Sequence, residues 1–278
     1  MVLRIHNSLT KQKEFFQPVK AGEVGMYLCG PTVYDFGHVG HARSAIGFDL
    51  IRRYFVWKGL KVKFVSNYTD VDDKIINRAQ KEKVSEQELT ERMIKAYKED
   101  YGKLGILDAD IHPKATTHIK EMIDLVKDLE KNGFAYVIEG DGVYYDLSKF
   151  AEYGKLSKQK LEDLKVGARV EVDKNKKHPY DFCLWKFKKE GEIFWDSPWG
   201  QGRPGWHIEC SAMSAKHLGK TFDIHAGGID LIFPHHENEI AQSEGANKCT
   251  MAKYWLHNGH VKVDDEKMSK SLGNFFTI

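Results

Sequence analysis

No run of apolar residues in this 278-residue chain approaches the roughly 20 that a membrane-spanning helix needs, and Met1 to Thr10 lacks the apolar core of a signal peptide. A cytoplasmic protein with no membrane partner is therefore expected. Cysteine is scarce: Cys29, Cys183, Cys210 and Cys249 lie far apart and form no CxxC pair. In a reducing compartment that argues against a disulfide framework and leaves a metal or catalytic role as the sharper alternative. Charge of either sign is nearly balanced, at net +2, so any RNA contact must come from local patches. What is present is ordinary for a globular chain, 41% hydrophobic and 29% charged residues, with length for one large domain or one domain carrying an insertion.

The stretch Cys29 to His41, CGPTVYDFGHVGH, follows a short strand-like run through Val24, Met26, Tyr27 and Leu28. It precedes a helical pattern with Ile46, Leu50, Ile51, Tyr54 and Phe55 on one face. Lys61 to Asn67 reads as the next strand, which makes a βαβ unit of a parallel sheet. Unpaired N–H groups at such a helix start attract phosphate. Gly37 and Gly40 let an anion approach the backbone, and His38 and His41 can donate to it. Glycine in a lone crossover can also serve only to turn the chain. Cys29 ends the strand beside this point, where it is either a soft metal ligand or nucleophile, or a small buried residue.

Asp70, Asp72 and Asp73 read as the acidic start of a helix rather than as a magnesium site. Ser85 and Glu88 form a capping box for a helix to Leu104, with Leu89, Met93, Tyr97, Tyr101 and Leu104 as its core stripe. A second amphipathic helix is predicted from about Lys114 to Lys131, stopped by Asn132-Gly133. Gly140-Asp141-Gly142 joins two strands of a hairpin, and loop-like, lysine-rich sequence follows to Pro204, its lysines read as a solvated face. Residues 111–204 thus read as an insertion. The α/β pattern resumes at Gly205 with a helix (WHIECSAMSAKHLG), a strand (FDIHAGG) and a helix starting at Pro234 (PHHENEIAQSEGA).

On that last helix His235 and Glu239 are four apart, on one face. Together with Cys29 and Cys210 they would make a site of two thiolates, an imidazole and a carboxylate, a set that favours zinc. Spacing alone does not select these four, because His207, His225 and His236 can equally be ligands, supports of ligands, or core histidines. Near the end, Lys267 and Lys270 lie three apart among serines and can neutralise a departing pyrophosphate, although such pairs are commonly only solvated.

HVGH at 38–41 and KMSKS at 267–271 resemble the paired signatures of class I aminoacyl-tRNA synthetases, and CGPTVYD, GRPGWHIECSAM, FDIHAGGIDL and FPHHENEIAQSE resemble cysteinyl-tRNA synthetases in particular. The resemblance runs from about Ile5 to the last residue. It implies an α/β fold with the Rossmann-like parallel sheet of that class, its halves at 1–110 and 205–278 flanking a connective insertion at 111–204. It also implies activation of L-cysteine with ATP and Mg2+ to cysteinyl-adenylate, then transfer to tRNA(Cys). Zinc would be held by Cys29, Cys210, His235 and Glu239; His38 and His41 would meet the ATP phosphates; Lys267 and Lys270 would stabilise the transition state. Gly228 and Asp230 would lie near adenine and ribose, and Thr69, Trp206 and His225 would line the amino-acid pocket. Zinc would select the thiol, since shape separates cysteine from serine poorly. Family members continue past KMSKS into a helical region and an anticodon-binding domain, whereas this sequence stops at Ile278. A truncated catalytic region is therefore expected, with tRNA charging dependent on the missing part. A cysteine ligase of the mycothiol-biosynthesis type, acting on an amino sugar, and a zinc-stabilised module without catalysis are the alternatives.

Overall fold

In chain order the computed structural model, which describes residues 3–159, 175–268 and 273–278, contains β1 (Arg4–Asn7), β2 (Gln12–Phe15), β3 (Glu23–Leu28), α1 (Val39–Trp57), β4 (Lys61–Ser66), α2 (Asp73–Glu82) and α3 (Glu86–Lys103). These are followed by α4 (Ile119–Lys131), β5 (Ala135–Ile138), β6 (Gly142–Tyr145), β7 (Cys183–Phe187), β8 (Gly202–Pro204), α5 (Trp206–Leu218) and β9 (Phe222–Gly228). After the turn Ile232–His236 come α6 (Glu237–Asn247), β10 (Ala252–Asn258), β11 (Lys262–Val263) and β12 (Glu266–Lys267). The chain divides into unit 1, made of Met1–Thr117, Phe222–Leu231 and Ala252–Ile278, and unit 2, made of His118–Thr221 and Ile232–Met251.

Unit 1 is built on a parallel sheet in the order β10-β9-β3-β4. The expected β3–α1–β4 crossover is present, with Met26 paired to Phe64 on one side and to Ile224 on the other. Val24, Met26 and Leu28 alternate onto one face and pack with Phe48, Phe55, Phe64 and Ile224, the period-2 pattern of a half-buried strand. The face of α1 differs from expectation. Ala42, Ala45, Phe48, Asp49 and Phe55 are buried, whereas Ile46, Leu50 and Tyr54 are exposed. Two alanines in the first turns keep helical spacing with Phe48 and Phe55 and let the helix lie close, a stripe that is easy to overlook when only large apolar residues are followed.

Local signals hold well in α2 and α3. The Asp72 carboxylate accepts from the Lys74 amide at 2.9 Å, so the acidic run does start a helix. Ser85 Oγ accepts from the Glu88 amide at 3.1 Å, and Leu89, Met93 and Tyr97 are buried with Val33, Tyr68 and Ile75.

Unit 2 combines an antiparallel sheet, β5-β6-β7-β8, with α4, α5 and α6. The β5–β6 hairpin pairs Ile138 with Gly142 and Ala135 with Tyr145, as the glycine-rich turn predicts. The helix expected from Lys114 begins at Ile119, and the residues before it form a 3-10 turn, Ala115–Thr117. The stretch expected to be loop-like contains β7 and β8, with Leu184 and Trp185 fully buried. β7 reads CLWKF, apolar at every position but Lys186, and pairs with the edge that β6 offers. Lys160, Lys165 and Lys174 lie outside the described residues.

Candidate active site and metal centre

In unit 1 the sheet ends at Leu28, and Cys29 continues β3 for one further bond, its amide donating to the Ala226 carbonyl at 3.0 Å. Gly30 passes so near the end of β4 that a Cβ there would lie 1.7 Å from the Asn67 carbonyl oxygen; no side chain fits. Cys29 Sγ lies 3.4 Å from His225 Nε2. His225 is buried, stacked on Tyr27 at 5.3 Å between ring centroids. Thr69 is buried too, and its carbonyl accepts from the Val33 amide at 3.1 Å.

His38 caps α1. Its Nδ1 accepts from the Gly40 amide at 3.1 Å, and its own amide donates to His41 Nδ1 at 3.2 Å. The rings stack with centroids 3.8 Å apart. With both Nδ1 atoms accepting, each neutral ring carries its proton on Nε2, which makes Nε2 the donor toward a ligand. Tyr97 places its hydroxyl 3.2 Å from His41 Nδ1. Burial, then the neighbouring Tyr101, raises the Tyr97 phenol, so it stays a donor. The two glycines of the motif answer to packing: a Cβ on Gly40 would lie 2.9 Å from the His38 ring, and one on Gly37 would meet Ile278 and Tyr97. At Gly228 a Cβ would lie 2.6 Å from Asp230 Oδ1, so the glycine makes room for that carboxylate.

In unit 2 the turn Ile232–His236 and the first residues of α6 bring His235 Nε2 to 3.0 Å from Glu239 Oε1. The helix begins at Glu237, three residues later than Pro234, so His235 precedes it and still reaches Glu239. Cys210, on α5, bonds to His235. Ligand atoms of Cys210, His235 and Glu239 lie within 4.8 Å of one another, and all three residues are buried. Burial opposes charge on His235, but the Glu239 carboxylate and the Cys210 sulfur together push it up to about 10. His207 Nδ1 lies 2.9 Å from His235 Nδ1. Burial, then the charge on His235, holds His207 well below its ordinary value. His235 thus turns Nε2 toward the carboxylate while Nδ1 is held from behind, the usual orientation of a supported metal-binding imidazole. A thiol, an imidazole and a carboxylate converging in a buried site form a donor set that fits zinc. Trp206 stacks on His235 with centroids 4.3 Å apart.

Thr69, His225, Gly228, Asp230, His38, His41 and Cys29 belong to unit 1, and Trp206, Cys210, His235 and Glu239 to unit 2. Lys267 lies on β12, paired with Lys262 of β11; Lys270 lies outside the described residues. The sequence reading missed Tyr97 as a partner of His41, Glu237 as a buried anchor, and Ser8, whose Oγ lies 2.8 Å from His257 Nδ1. Of these only Glu237 carried a signal, a carboxylate between two ligand candidates.

The model of the tRNA synthetases class I (C) catalytic domain matches residues 15–278. The chain belongs to that family. It is 59% identical over 276 residues to the cysteine-tRNA ligase of Desulforamulus reducens, covering 99% of this chain and 57% of that protein. Against the cysteine-tRNA ligase of Clostridioides difficile the identity is 57%, with 99% and 59% covered. Against that of Geotalea uraniireducens it is 60%, with 100% and 56% covered. The chain therefore spans between 56% and 59% of the length of these relatives. Among solved structures, the methionyl-tRNA synthetase of Mycobacterium tuberculosis in complex with methionyl-adenylate superposes with a TM-score of 0.70 at 16% identity, over 91% of this chain and 60% of that one. That likeness supports the fold: the α/β architecture with a parallel sheet is the one this class uses. Among the described residues no helix is long and apolar enough to cross a membrane.

Proposed function

We propose that this chain is the catalytic region of a cysteine-tRNA ligase. The cysteine carboxylate attacks the α-phosphorus of ATP, the bond to the β-phosphate oxygen breaks, and pyrophosphate leaves. The cysteinyl group of the adenylate then passes to the terminal adenosine of tRNA(Cys). Nε2–H of His38 and His41 would hold the phosphates, and Lys267 and Lys270 would neutralise the charge that develops on the leaving group. Gly228 and Asp230 would take adenine and ribose, and Thr69, Trp206 and His225 the amino acid. Mg2+ would enter with ATP. Residues 111–204 remain, in this reading, an insertion in the nucleotide-binding fold.

Cys210, His235 and Glu239, joined by Cys29 on the strength of the family motif, would hold zinc. Zinc, when bound, supplies a soft Lewis acid that binds a thiolate far better than a hydroxyl and so separates cysteine from serine. The protein contributes no nucleophile; its residues orient the reactants and stabilise charge. One observation carries the reading: the buried convergence of Cys210, His235 and Glu239, which a nucleotide-binding fold alone has no need of.

The test is cysteine-dependent exchange of pyrophosphate into ATP by this chain, with serine and zinc-stripped protein as controls. Exchange is expected with cysteine, absent with serine and lost on stripping. Equal exchange with serine, or full exchange after stripping, would refute the reading. Supplying tRNA(Cys) or an amino sugar as acceptor then distinguishes the two kinds of cysteine ligase.

A further inference from the structure

Glu237 has no part in the chemistry just described, yet it is fully buried and stands between the ligand candidates His235 and Glu239 in sequence. Among the described residues no cation pairs with it; its carboxylate is held by backbone instead. Oε1 accepts from the Gly154 amide at 2.9 Å, and Oε2 accepts from Ser157 at 2.7 Å and from Leu156 at 3.2 Å. The next residue makes a parallel connection: Tyr153 donates from its hydroxyl to Asn238 Oδ1 at 2.5 Å. Segment 153–157 is shaped for this contact. Gly154 has φ +93°, and a Cβ there would lie 1.9 Å from the Gln159 carbonyl oxygen. Leu156 is buried, and the Lys158 amide closes the turn onto the Gly154 carbonyl at 2.8 Å.

A buried carboxylate is costly unless several donors compensate it, and a set of backbone amides fixes its position tightly. Since α6 starts at Glu237, fixing that side chain fixes the first turn of the helix, from which Glu239 projects and before which His235 lies. We propose that Glu237 is the positioning residue of the metal centre: it locks segment 153–157 as a brace that holds His235 and Glu239 convergent, without touching the ion. The inference rests on the zinc reading above.

The decisive variant is Glu237→Gln, which keeps the shape but puts an NH2 group against backbone donors. Zinc affinity of the full chain would be measured by competition with a chromogenic chelator, and site geometry by the absorption bands of the Co2+-loaded protein. The expected result is affinity reduced about 10- to 100-fold, the usual loss on removing an outer partner of a metal site, with altered cobalt bands. Phe55→Ala, which opens a cavity in the core of unit 1, serves as the control for general destabilisation and should leave the zinc affinity of the folded fraction unchanged. Wild-type affinity and cobalt bands in Glu237→Gln would overturn the inference, as would an equal loss in Phe55→Ala. Should Glu237→Gln not fold, Tyr153→Phe carries the test: about fivefold weaker zinc binding, the worth of one hydrogen bond, supports the brace, and unchanged binding overturns it. If the wild-type chain binds no stoichiometric zinc, the functional reading itself fails, an outcome visible before any variant is made.

Discussion

Unit 1 and unit 2 bury different kinds of residue. In unit 1 the centre of the sheet is apolar: Val24, Met26, Phe48, Phe55, Phe64 and Ile224 exclude water, while the histidines of the phosphate-type motif sit at the start of α1. In unit 2 the helices α5 and α6 bury Glu209, Ser211, Glu237, Asn238, Glu239 and Gln242 beside Cys210, polar residues that a core built for stability would exclude. Polar groups in an interior weaken a fold unless each is compensated. Unit 1 buries polar residues too, Asn67, Thr69, Asp223 and His225 among them, but scattered along its chain, whereas in unit 2 they concentrate on two adjacent helices that also carry the metal candidates.

That contrast can be broken by substitution. Phe55→Ala in unit 1 removes a fully buried ring and should cost about 3–5 kcal/mol, read from urea unfolding, while the folded fraction binds zinc as before. A loss of zinc affinity per folded molecule would mean that the two interiors are not separable. Cys210→Ala in unit 2 should reverse the pattern: zinc affinity falls more than about 100-fold, beyond the loss of an outer partner, while the zinc-free protein changes little in stability, since alanine in place of a thiol among polar neighbours leaves only a small void. Unfolding of that variant in the absence of metal would show the polar cluster to be structural after all.

The smallest expected effect is a dependence on pH. Burial, and then His225, lowers His257 in unit 1 from 6.5 to about 3. It is neutral in the folded chain and takes a proton near pH 6.5 when unfolded. Its contribution to stability is therefore present above that pH and is lost as pH falls toward 3, with a slope of up to about 1.4 kcal/mol per pH unit. His257→Gln should flatten the fall of the urea midpoint between pH 6.5 and about 5, a range in which most carboxylates remain charged. An unchanged slope would assign the acid sensitivity to other groups.

Much of this arrangement could be read from sequence where a side chain reports on its own neighbourhood. The Ser85 cap, the Asp72 helix start and the Gly140–Gly142 turn are contacts over two to four residues, and each was found where expected. Strand β7 was missed because its pairing partner lies some 40 residues away, and the buried face of α1 was misjudged because burial depends on what approaches the helix. The metal candidates Cys210, His235 and Glu239 were legible through motif resemblance, while for Glu237 the sequence offered only its place between two of them, since its role is set by backbone amides that no residue type announces.

The close approach of Gly40 to the His38 ring has a consequence for variation. A side chain at position 40 collides with the imidazole at position 38, so position 40 cannot gain one while the histidine keeps its place. Alanine at 40 would need a smaller neighbour at 38, and a smaller neighbour forfeits the ring whose Nδ1 caps the helix. The glycine is therefore held by the histidine two residues before it: as long as that ring caps the helix, any larger residue at 40 has to displace it.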